Sequence, residues 1–400
     1  MKPTLILATS SPTMTAVKNG MPLFRLGFRP FYLGAAVCAV VFMLLWQPIF
    51  VGSFVLHSGV APVLWHAHEM LCGVVCAVVV GFLFTAGKTW TGLPTPRGAF
   101  LVALLVLWAT GRIASFAAPY PVFFILDVAF LPIVAALFLD LLVRAGNKRN
   151  LPIAGVLILL SASNLLFHLA ASGALPFAPV RALHAGIGLL VILVSIIAGR
   201  VVPMFTASVT PGLKLHASPT RDGVALSLTA AGLGLWVVGL WPIVSAVALM
   251  TAAFLHAIRL LSWSPWVSRK RPILWVLHVS YAWIPIGLAL LAAGQLGLLP
   301  ASVGIHALTV GAIGGMLIGM MTRTARGHTA RPLQASKIEV AAYAMLPLAA
   351  LARIAAPELP AGGYAAALVV AGALWVGAFT LYLIRFTPWL LTSRTDGNDG

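Results

Sequence analysis

The sequence predicts an all-α integral membrane protein with twelve transmembrane helices. Of its 400 residues, 61% are hydrophobic and only 8% are charged, and the mean hydropathy is +1.03. A soluble core does not have this composition. Apolar runs of about 20 residues, long enough to cross a bilayer as helices, recur along the whole chain. Together these observations predict a single polytopic membrane domain over residues 1–400.

The apolar runs give the predicted spans in order. Each run ends at a short segment that contains polar, glycine or proline residues. The seventh and eighth spans are divided only by a turn at "WPIV" (241–244). The predicted bounds are 30–50, 66–86, 99–118, 121–143, 152–173, 183–205, 224–241, 243–261, 273–294, 302–322, 338–355 and 361–386.

Lys and Arg predict the orientation of these spans. With the chain folded through twelve spans, 22 of the 25 basic residues fall on the side of the termini, and only Arg112, Arg181 and Arg353 fall on the other. The positive-inside rule then places both termini in the cytoplasm, with a cytoplasmic segment at 1–20 and a cytoplasmic tail at 387–400. The net charge of +17 therefore faces anionic lipid, and no nucleic-acid partner is expected.

Two further classes of feature are not expected. Residues 1–20 lack the long apolar run of a secretory signal peptide. The three cysteines, Cys38, Cys72 and Cys76, all fall inside predicted spans, so the sequence predicts no disulfide framework.

Three spans begin alike. "WHAHEMLCG" starts at Trp65, "LHAGIGLLV" at Leu183 and "IHALTVGAIGG" at Ile305, so His66, His184 and His306 recur 118 and then 122 residues apart. A period of four spans indicates either three quasi-repeated four-helix arcs, with a layout resembling heme–copper oxidases, or a chance recurrence of a His-Ala pair. In the first case, spans two, six and ten lie around neighbouring pores.

Charged side chains within the spans need partners, because a charge is costly at bilayer depth. Arg112 and Asp127 fall at similar depth on an antiparallel hairpin, which predicts a structural ion pair. Asp140 and Arg144 are one helical turn apart and predict a helix-surface pair. Glu69 has no cation within a turn, so its expected partner is Arg181, Arg353, a histidinium or a bound metal.

Histidines cluster near the predicted outer face. Neutral imidazole binds heme iron, copper or zinc without adding charge to the membrane. On a helix His68 points about 200° away from His66, so the two serve different centres unless the first turn is unwound. His168, at the end of span five, is expected near His184, with Asn164 one turn earlier in a supporting position.

A second, inner set of candidates combines histidine with arginine. His256 and His278 lie at matched depth on adjacent predicted spans, which fits either a second heme or an interhelical hydrogen bond. Arg323, Arg326 and Arg331, with His328, form a basic cluster that fits heme propionates. Ordinary positive-inside charge explains the same cluster equally well.

Several longer segments, taken together, resemble the NnrS family. They are "RLGFRPFYLGA" (25–35), "WHAHEMLCG" (65–73), "GFLFTAGKTWTGLP" (81–94), "GRVVPMFT" (199–206), "LWVLHVSYAWIPIGLAL" (274–290) and "IHALTVGAIGGMLIGMMTRTARGHTARPL" (305–333). The resemblance implies a bacterial inner-membrane protein that carries heme b and copper. It also implies a link to denitrification and to tolerance of nitric oxide (NO) and nitrosative stress, with NO as the small-molecule ligand.

The resemblance assigns no histidine to a particular metal. It implies heme or metal binding by His66, His68, His184 and His306, and by His278. The positions of other side chains along their predicted spans add further candidates. His256 and Arg323 join the cofactor-binding set, and His168 and Glu69 join the metal-ligating set.

Other functions stay open at this stage. Span seven contains no histidine and the chain has no His-His pair, a departure from true heme–copper oxidases, so the sequence does not decide whether the protein is an enzyme. Twelve spans are also typical of secondary transporters of small solutes or metals. A structural assembly partner of denitrification enzymes is a third possibility.

Overall fold

A computed structural model describes residues 20–50, 52–213 and 215–398. Within those ranges twelve helices are long and apolar enough to cross a membrane, which confirms the predicted fold class. They are α1 Phe28–Phe50, α2 Pro62–Thr91, α3 Gly98–Ala117, α4 Tyr120–Arg144, α5 Lys148–Ala171, α6 Val180–Ser208, α7 Pro219–Val238, α8 Pro242–Leu261, α9 Pro272–Gln295, α10 Ala301–His328, α11 Lys337–Glu358 and α12 Gly362–Leu391. The predicted segment 1–20 lies, except for Gly20, outside the described residues.

Several helices extend beyond their apolar runs. The helix α2 begins at Pro62 and α6 at Val180, three or four residues before the predicted starts, and α10 continues to His328. Helical hydrogen bonding of the backbone continues beyond the apolar residues, so hydropathy alone predicts helices that are too short. As a consequence His66, His184 and His306 lie in the second turn of their helices and not at their first residues.

Consecutive helices pack as antiparallel hairpins, and α1 packs against α12, which brings the two ends of the domain together. The helices α2 and α10 are the most buried. In each, 78% of the most apolar 18-residue window is buried inside the protein, against 28% in α1 and α7. The helix α6 contacts both α2 and α10. The three helices that begin alike in sequence therefore meet in the interior of the bundle.

Two of these three helices contain a π-helical segment. It covers Glu69–Val75 in α2 and Ala307–Gly314 in α10, and each begins directly after a histidine. A π-helical turn accommodates an extra residue and is frequent at functional sites. The helix α6 has α-helical hydrogen bonding over Val180–Ser208, so the recurrence among the three helices is partial.

Glycines allow the histidine-bearing helices to approach their neighbours closely. A Cβ atom at Gly304 would lie 2.6 Å from the backbone nitrogen of Leu291 on α9. At Gly186 on α6, a Cβ would lie 2.7 Å from the side chain of Leu71 on α2. Each glycine lies two residues from one of the histidines near the predicted outer face, so close packing fixes the positions of His306 and His184.

Candidate functional site

A large apolar cavity lies at the end of the bundle where α2, α6 and α10 begin. Its volume is about 380 Å³, within the range typical of small-molecule sites. Most of its lining is aliphatic or aromatic, with Trp46 of α1 and Trp375 of α12 among the larger side chains. A cavity with these walls suits an apolar or flat aromatic ligand.

Three histidines line this one cavity. They are His66, the fifth residue of α2, His184, the fifth of α6, and His306, the sixth of α10. The four-span period thus brings the three side chains to one place, whereas the sequence predicted neighbouring pores. The layout resembling heme–copper oxidases stays a prediction.

Two of the three imidazoles are held by tryptophan. The ring of His66 stacks on Trp46 with centroids 4.3 Å apart and planes inclined by 24°. His184 stacks on Trp236 of α7 in the same way, at 4.3 Å and 23°. Stacking fixes the plane of each ring without using either nitrogen, so the nitrogens stay available to a ligand.

A hydrogen bond fixes the orientation of the His306 imidazole, whereas one ring nitrogen of His66 has no hydrogen-bond partner in the described part of the protein. The Nδ1 atom of His306 donates to the carbonyl oxygen of Ser302 at 2.7 Å, which leaves the lone pair on Nε2, the arrangement typical of metal-ligating histidine. The Nδ1 atom of His66 is buried and has no partner among the described residues. Such orphaned polar atoms are rare in folded proteins and call for an explanation.

A second site, a buried polar cluster, lies on the other side of α2. Arg112 of α3 donates to both carboxylate oxygens of Glu69 at 2.9 Å and also pairs with Asp127 of α4. The pair of Arg112 with Asp127 confirms the sequence prediction. Arg112, and not Arg181 or Arg353, is the arginine that pairs with Glu69. A histidinium, also expected as a partner, stays a prediction, and His68 contacts the same carboxylate.

The fold explains why Arg112 reaches both acids. Gly73 follows Glu69 by one helical turn, and a Cβ there would lie 3.2 Å from Cδ of Arg112. The absence of a side chain at Gly73 therefore leaves room for the arginine beside α2. Trp108, one turn before Arg112, donates from Nε1 to the carbonyl oxygen of Gly73 at 3.1 Å, which fixes α3 against the π-helical segment.

Two histidines complete the cluster. His68 contacts Glu69 through Nδ1 at 3.0 Å and Asp127 through Nε2 at 3.2 Å, and His168 of α5 contacts Asp127 through Nε2 at 2.9 Å. Asn164 donates to Asp127 at 2.7 Å and faces His68 Nε2 through Oδ1 at 2.9 Å. All of these side chains are buried.

The cluster can hold a cation. One ligand atom from each of His68, Asp127 and His168 lies within 4.8 Å of the others. Two carboxylates and one guanidinium leave one negative charge, and both nitrogens of His68 face oxygen acceptors. Either a proton on His68 or a metal cation among the three side chains satisfies this arrangement, because an unpaired buried charge is costly.

The position of His168 differs from the one predicted from the sequence. It was expected near His184, but the structure places His168 beside Asp127 and Tyr120, while His184 faces the cavity. His66 and His68 serve different environments, the cavity and the cluster, as helical geometry predicted. Neither Tyr120 nor the two stacking tryptophans Trp46 and Trp236 was identified in advance, since nothing in their local sequence marks them.

The inner histidines are engaged in hydrogen bonds with hydroxyl groups. His256 donates from Nε2 to Thr229 at 3.0 Å, and its Nδ1 contacts the hydroxyl of Tyr281 at 2.6 Å. His278 contacts Thr206 through Nε2 at 3.0 Å, and its Nδ1 is buried without a partner among the described residues. Both nitrogens of His256 are thus in use, whereas His278 keeps one free for a ligand.

The inner arginines have different main partners, although Arg326 and Arg331 both lie over the ring of Trp389. Arg326 is bound by Glu339 of α11 through two hydrogen bonds, at 2.7 and 2.5 Å. Arg331 lies 4.3 Å from the ring centroid of Trp389, and Arg323 lies 3.7 Å from that of Phe205. Of the three, Arg326 is neutralised by a carboxylate, which leaves Arg323 and Arg331 as the candidates for an anionic group.

One comparison with known proteins identifies the chain. A family model described as NnrS protein matches residues 22–394, which covers both the cavity and the polar cluster. No curated protein matches the chain. Because the match spans nearly the whole sequence, the chain belongs to the NnrS family.

Proposed function

We propose that this protein binds heme b in the cavity lined by His66, His184 and His306, binds copper in the buried cluster, and protects the cell against nitric oxide in the bacterial inner membrane. The observation that carries the proposal is the meeting of three histidines, from segments far apart in sequence, in one apolar cavity. Membership of the NnrS family fits a role related to nitric oxide.

The cavity fits a porphyrin on three counts. Its walls are apolar and include tryptophans, its histidine nitrogens are not consumed by internal hydrogen bonds except for Nδ1 of His306, and a buried nitrogen of His66 lacks a partner. Bound heme would supply an iron centre able to bind an imidazole and nitric oxide. His306, with Nδ1 fixed by Ser302 and Nε2 left as an acceptor, is the best prepared histidine to hold it.

The cluster fits a copper ion by ligand type and by charge. His68 and His168 direct their Nε2 atoms at the same carboxylate, Asp127. Imidazole suits copper, and partners on the opposite ring nitrogens, Glu69 for His68 and Tyr120 for His168, would orient both rings. A monovalent copper ion would bring the net charge of the cluster to zero.

The surroundings suit a small apolar gas. The cavity is lined mainly by apolar side chains, and Arg353 is the only charged side chain among its lining residues in the described part of the chain. Nitric oxide partitions into lipid and can reach such a cavity through the bilayer, without a charged pathway. The chain's own residues would position the heme and exclude water.

Metal and heme analysis of the purified protein, together with survival of cells exposed to an NO donor, tests the proposal. We expect heme and copper in the wild-type protein. We also expect loss of NO tolerance in a strain that carries the His66→Ala, His184→Ala and His306→Ala changes together. Full tolerance in that strain, at equal protein abundance, would contradict the proposal.

A secondary transporter predicts a different result. Metal-free protein reconstituted in vesicles would then show saturable flux of a solute or metal ion. The cavity lies at one end of the bundle, where α2, α6 and α10 begin, whereas transporter sites are typically near the midplane. That location favours a cofactor site over a transport site.

A further inference from the structure

We infer that the cavity binds its ligand through a carboxylate group held by Arg353. The inference rests on the proposed function in one respect only, the use of the cavity as a ligand site. It adds an orientation, because it places the acidic end of the ligand at α11 and α12 and the rest of the ligand towards the histidines of α2, α6 and α10.

Arg353 carries an unsatisfied guanidinium nitrogen at the cavity wall. Its side chain lines the cavity, and its Nη1 atom is buried and has no hydrogen-bond partner among the described residues. A guanidinium nitrogen withdrawn from water without an acceptor costs free energy, more than a neutral donor does. An acceptor from a bound ligand would remove this cost.

The described part of the protein supplies no acid for Arg353. Six of its seven acidic side chains are paired with other arginines, and the seventh, Glu358, is exposed and forms no ion pair with Arg353. The pairs are Glu69 and Asp127 with Arg112, Asp140 with Arg144, Asp222 with Arg221 and Arg259, Glu339 with Arg326, and Asp396 with Arg394. The anion must therefore come from outside these residues.

The neighbours of Arg353 fit a carboxylate. Gln47 at the end of α1 and Tyr364 at the start of α12 line the same cavity and carry a side-chain amide and a hydroxyl that can donate hydrogen bonds. Guanidinium binds a carboxylate through two parallel hydrogen bonds. The other lining residues, such as His66, His184 and Ile187, offer imidazoles and apolar surface, and none of the lining residues in the described part of the chain is a second Lys or Arg.

The sequence offers Arg353 as one of four possible partners of Glu69, beside Arg181, a histidinium and a bound metal. It explains the inner arginines either by heme propionates or by ordinary positive-inside charge. Arg112 now accounts for Glu69, which releases Arg353 for a ligand. A phosphate of a lipid headgroup offers similar oxygen acceptors and is the competing source of the anion.

Binding of ferric protoporphyrin IX and of its dimethyl ester to detergent-purified, heme-depleted protein tests the inference. The two compounds differ only in the masked carboxylates, and quenching of tryptophan fluorescence reports binding, since Trp46 and Trp375 line the cavity. We expect the wild-type protein to bind the diacid about tenfold or more tightly than the ester. Arg353→Gln should reduce this preference to about unity, and Arg353→Lys should keep part of it.

Arg181→Gln is the matched control, because Arg181 is an exposed arginine on α6 that does not line the cavity. It should keep the full preference. Equal affinity of the wild-type protein for diacid and ester would overturn the inference. This measurement uses the wild-type protein alone, so it does not depend on the folding of any variant. A preference that survives Arg353→Gln would overturn it too. Either result leaves the proposed heme site intact, whereas failure of both compounds to bind would contradict the proposed function as well.

Discussion

Arg112 determines whether two buried acids can be accommodated inside the membrane domain. It is paired with Glu69 and Asp127, and all three side chains are at most 5% exposed. Removal of one partner from a buried ion pair leaves an uncompensated charge, which typically costs about 3–5 kcal/mol. We expect Arg112→Leu to destabilise the protein by about this amount, measured as a lower midpoint of thermal unfolding in detergent.

The control is the exposed pair of Asp140 and Arg144, in which both side chains are 58% exposed. Asp140→Asn should change stability by about 0.5 kcal/mol or less, because surface ion pairs on a helix contribute little. If Arg112→Leu and Asp140→Asn unfold at the same temperature, the cluster does not have the role described.

His256 is expected to have a structural role and not to bind a cofactor. Both of its ring nitrogens are engaged, with Thr229 and Tyr281, and the side chain is fully buried. We expect His256→Phe to lower the unfolding midpoint, because two hydroxyl groups lose their partner, and to leave heme and metal content per protein unchanged. Elemental analysis and the pyridine hemochromogen assay measure that content, and a loss of heme would assign His256 to a cofactor site.

For individual side chains, the sequence predicted contacts within a hairpin better than contacts between other pairs of helices. The pair of Arg112 and Asp127 follows from a short turn that places both at one depth. The pair of Arg112 with Glu69 joins residues of α2 and α3 across a π-helical segment that no local pattern reveals. Charge alone could not choose among several arginines for Glu69.

At the level of single helices, close packing at Gly304 positions His306. A Cβ atom there would overlap the backbone of Leu291, which cannot move as a flexible side chain could. We expect Gly304→Ala to force α10 away from α9, to cost about 1–3 kcal/mol, and to weaken heme binding through displacement of His306. Thermal unfolding and heme content measure the two effects.

Gly155 on α5 provides the contrast, because a Cβ atom at that position meets nothing within 4 Å. Gly155→Ala should be neutral or stabilise the protein by up to about 1 kcal/mol, since alanine favours a helix over glycine. Equal behaviour of the two variants would show that close packing at Gly304 does not matter.

The existence and order of the helices could be predicted from hydropathy, but their internal irregularities could not. The apolar runs give twelve spans because bilayer thickness requires about 20 residues in each. The π-helical segments at Glu69–Val75 and Ala307–Gly314 contain no proline or other helix-breaking pattern that distinguishes them from the regular turns around them.

For the whole molecule, the orientation predicted from Lys and Arg can be tested with single cysteines. Glu358, at the end of α11, and Lys270, between α8 and α9, are both exposed and lie at opposite ends of the bundle. In spheroplasts, a membrane-impermeant maleimide should label Glu358→Cys and should not label Lys270→Cys. The reverse pattern would place the cavity on the cytoplasmic side and contradict the positive-inside assignment.

The cavity itself could be predicted only in part. The recurrence of a histidine at the start of every fourth span suggested that His66, His184 and His306 are related, and the structure brings them together in one cavity. Closure of the bundle, through contact of α1 with α12, determines which other residues line the cavity. Such contacts between the ends of the chain have no signal in local sequence, so Arg353 and Trp46 were not identified as lining residues.

The heme content of single histidine variants decides whether His66, His184 and His306 hold one cofactor together. We expect a Soret band in the purified wild-type protein that is lost or shifted in His66→Ala, His184→Ala and His306→Ala. The band should be unchanged in His57→Ala, because His57 is exposed and does not line the cavity. A wild-type protein free of heme, or a Soret band unaffected by all three cavity substitutions, would contradict the account.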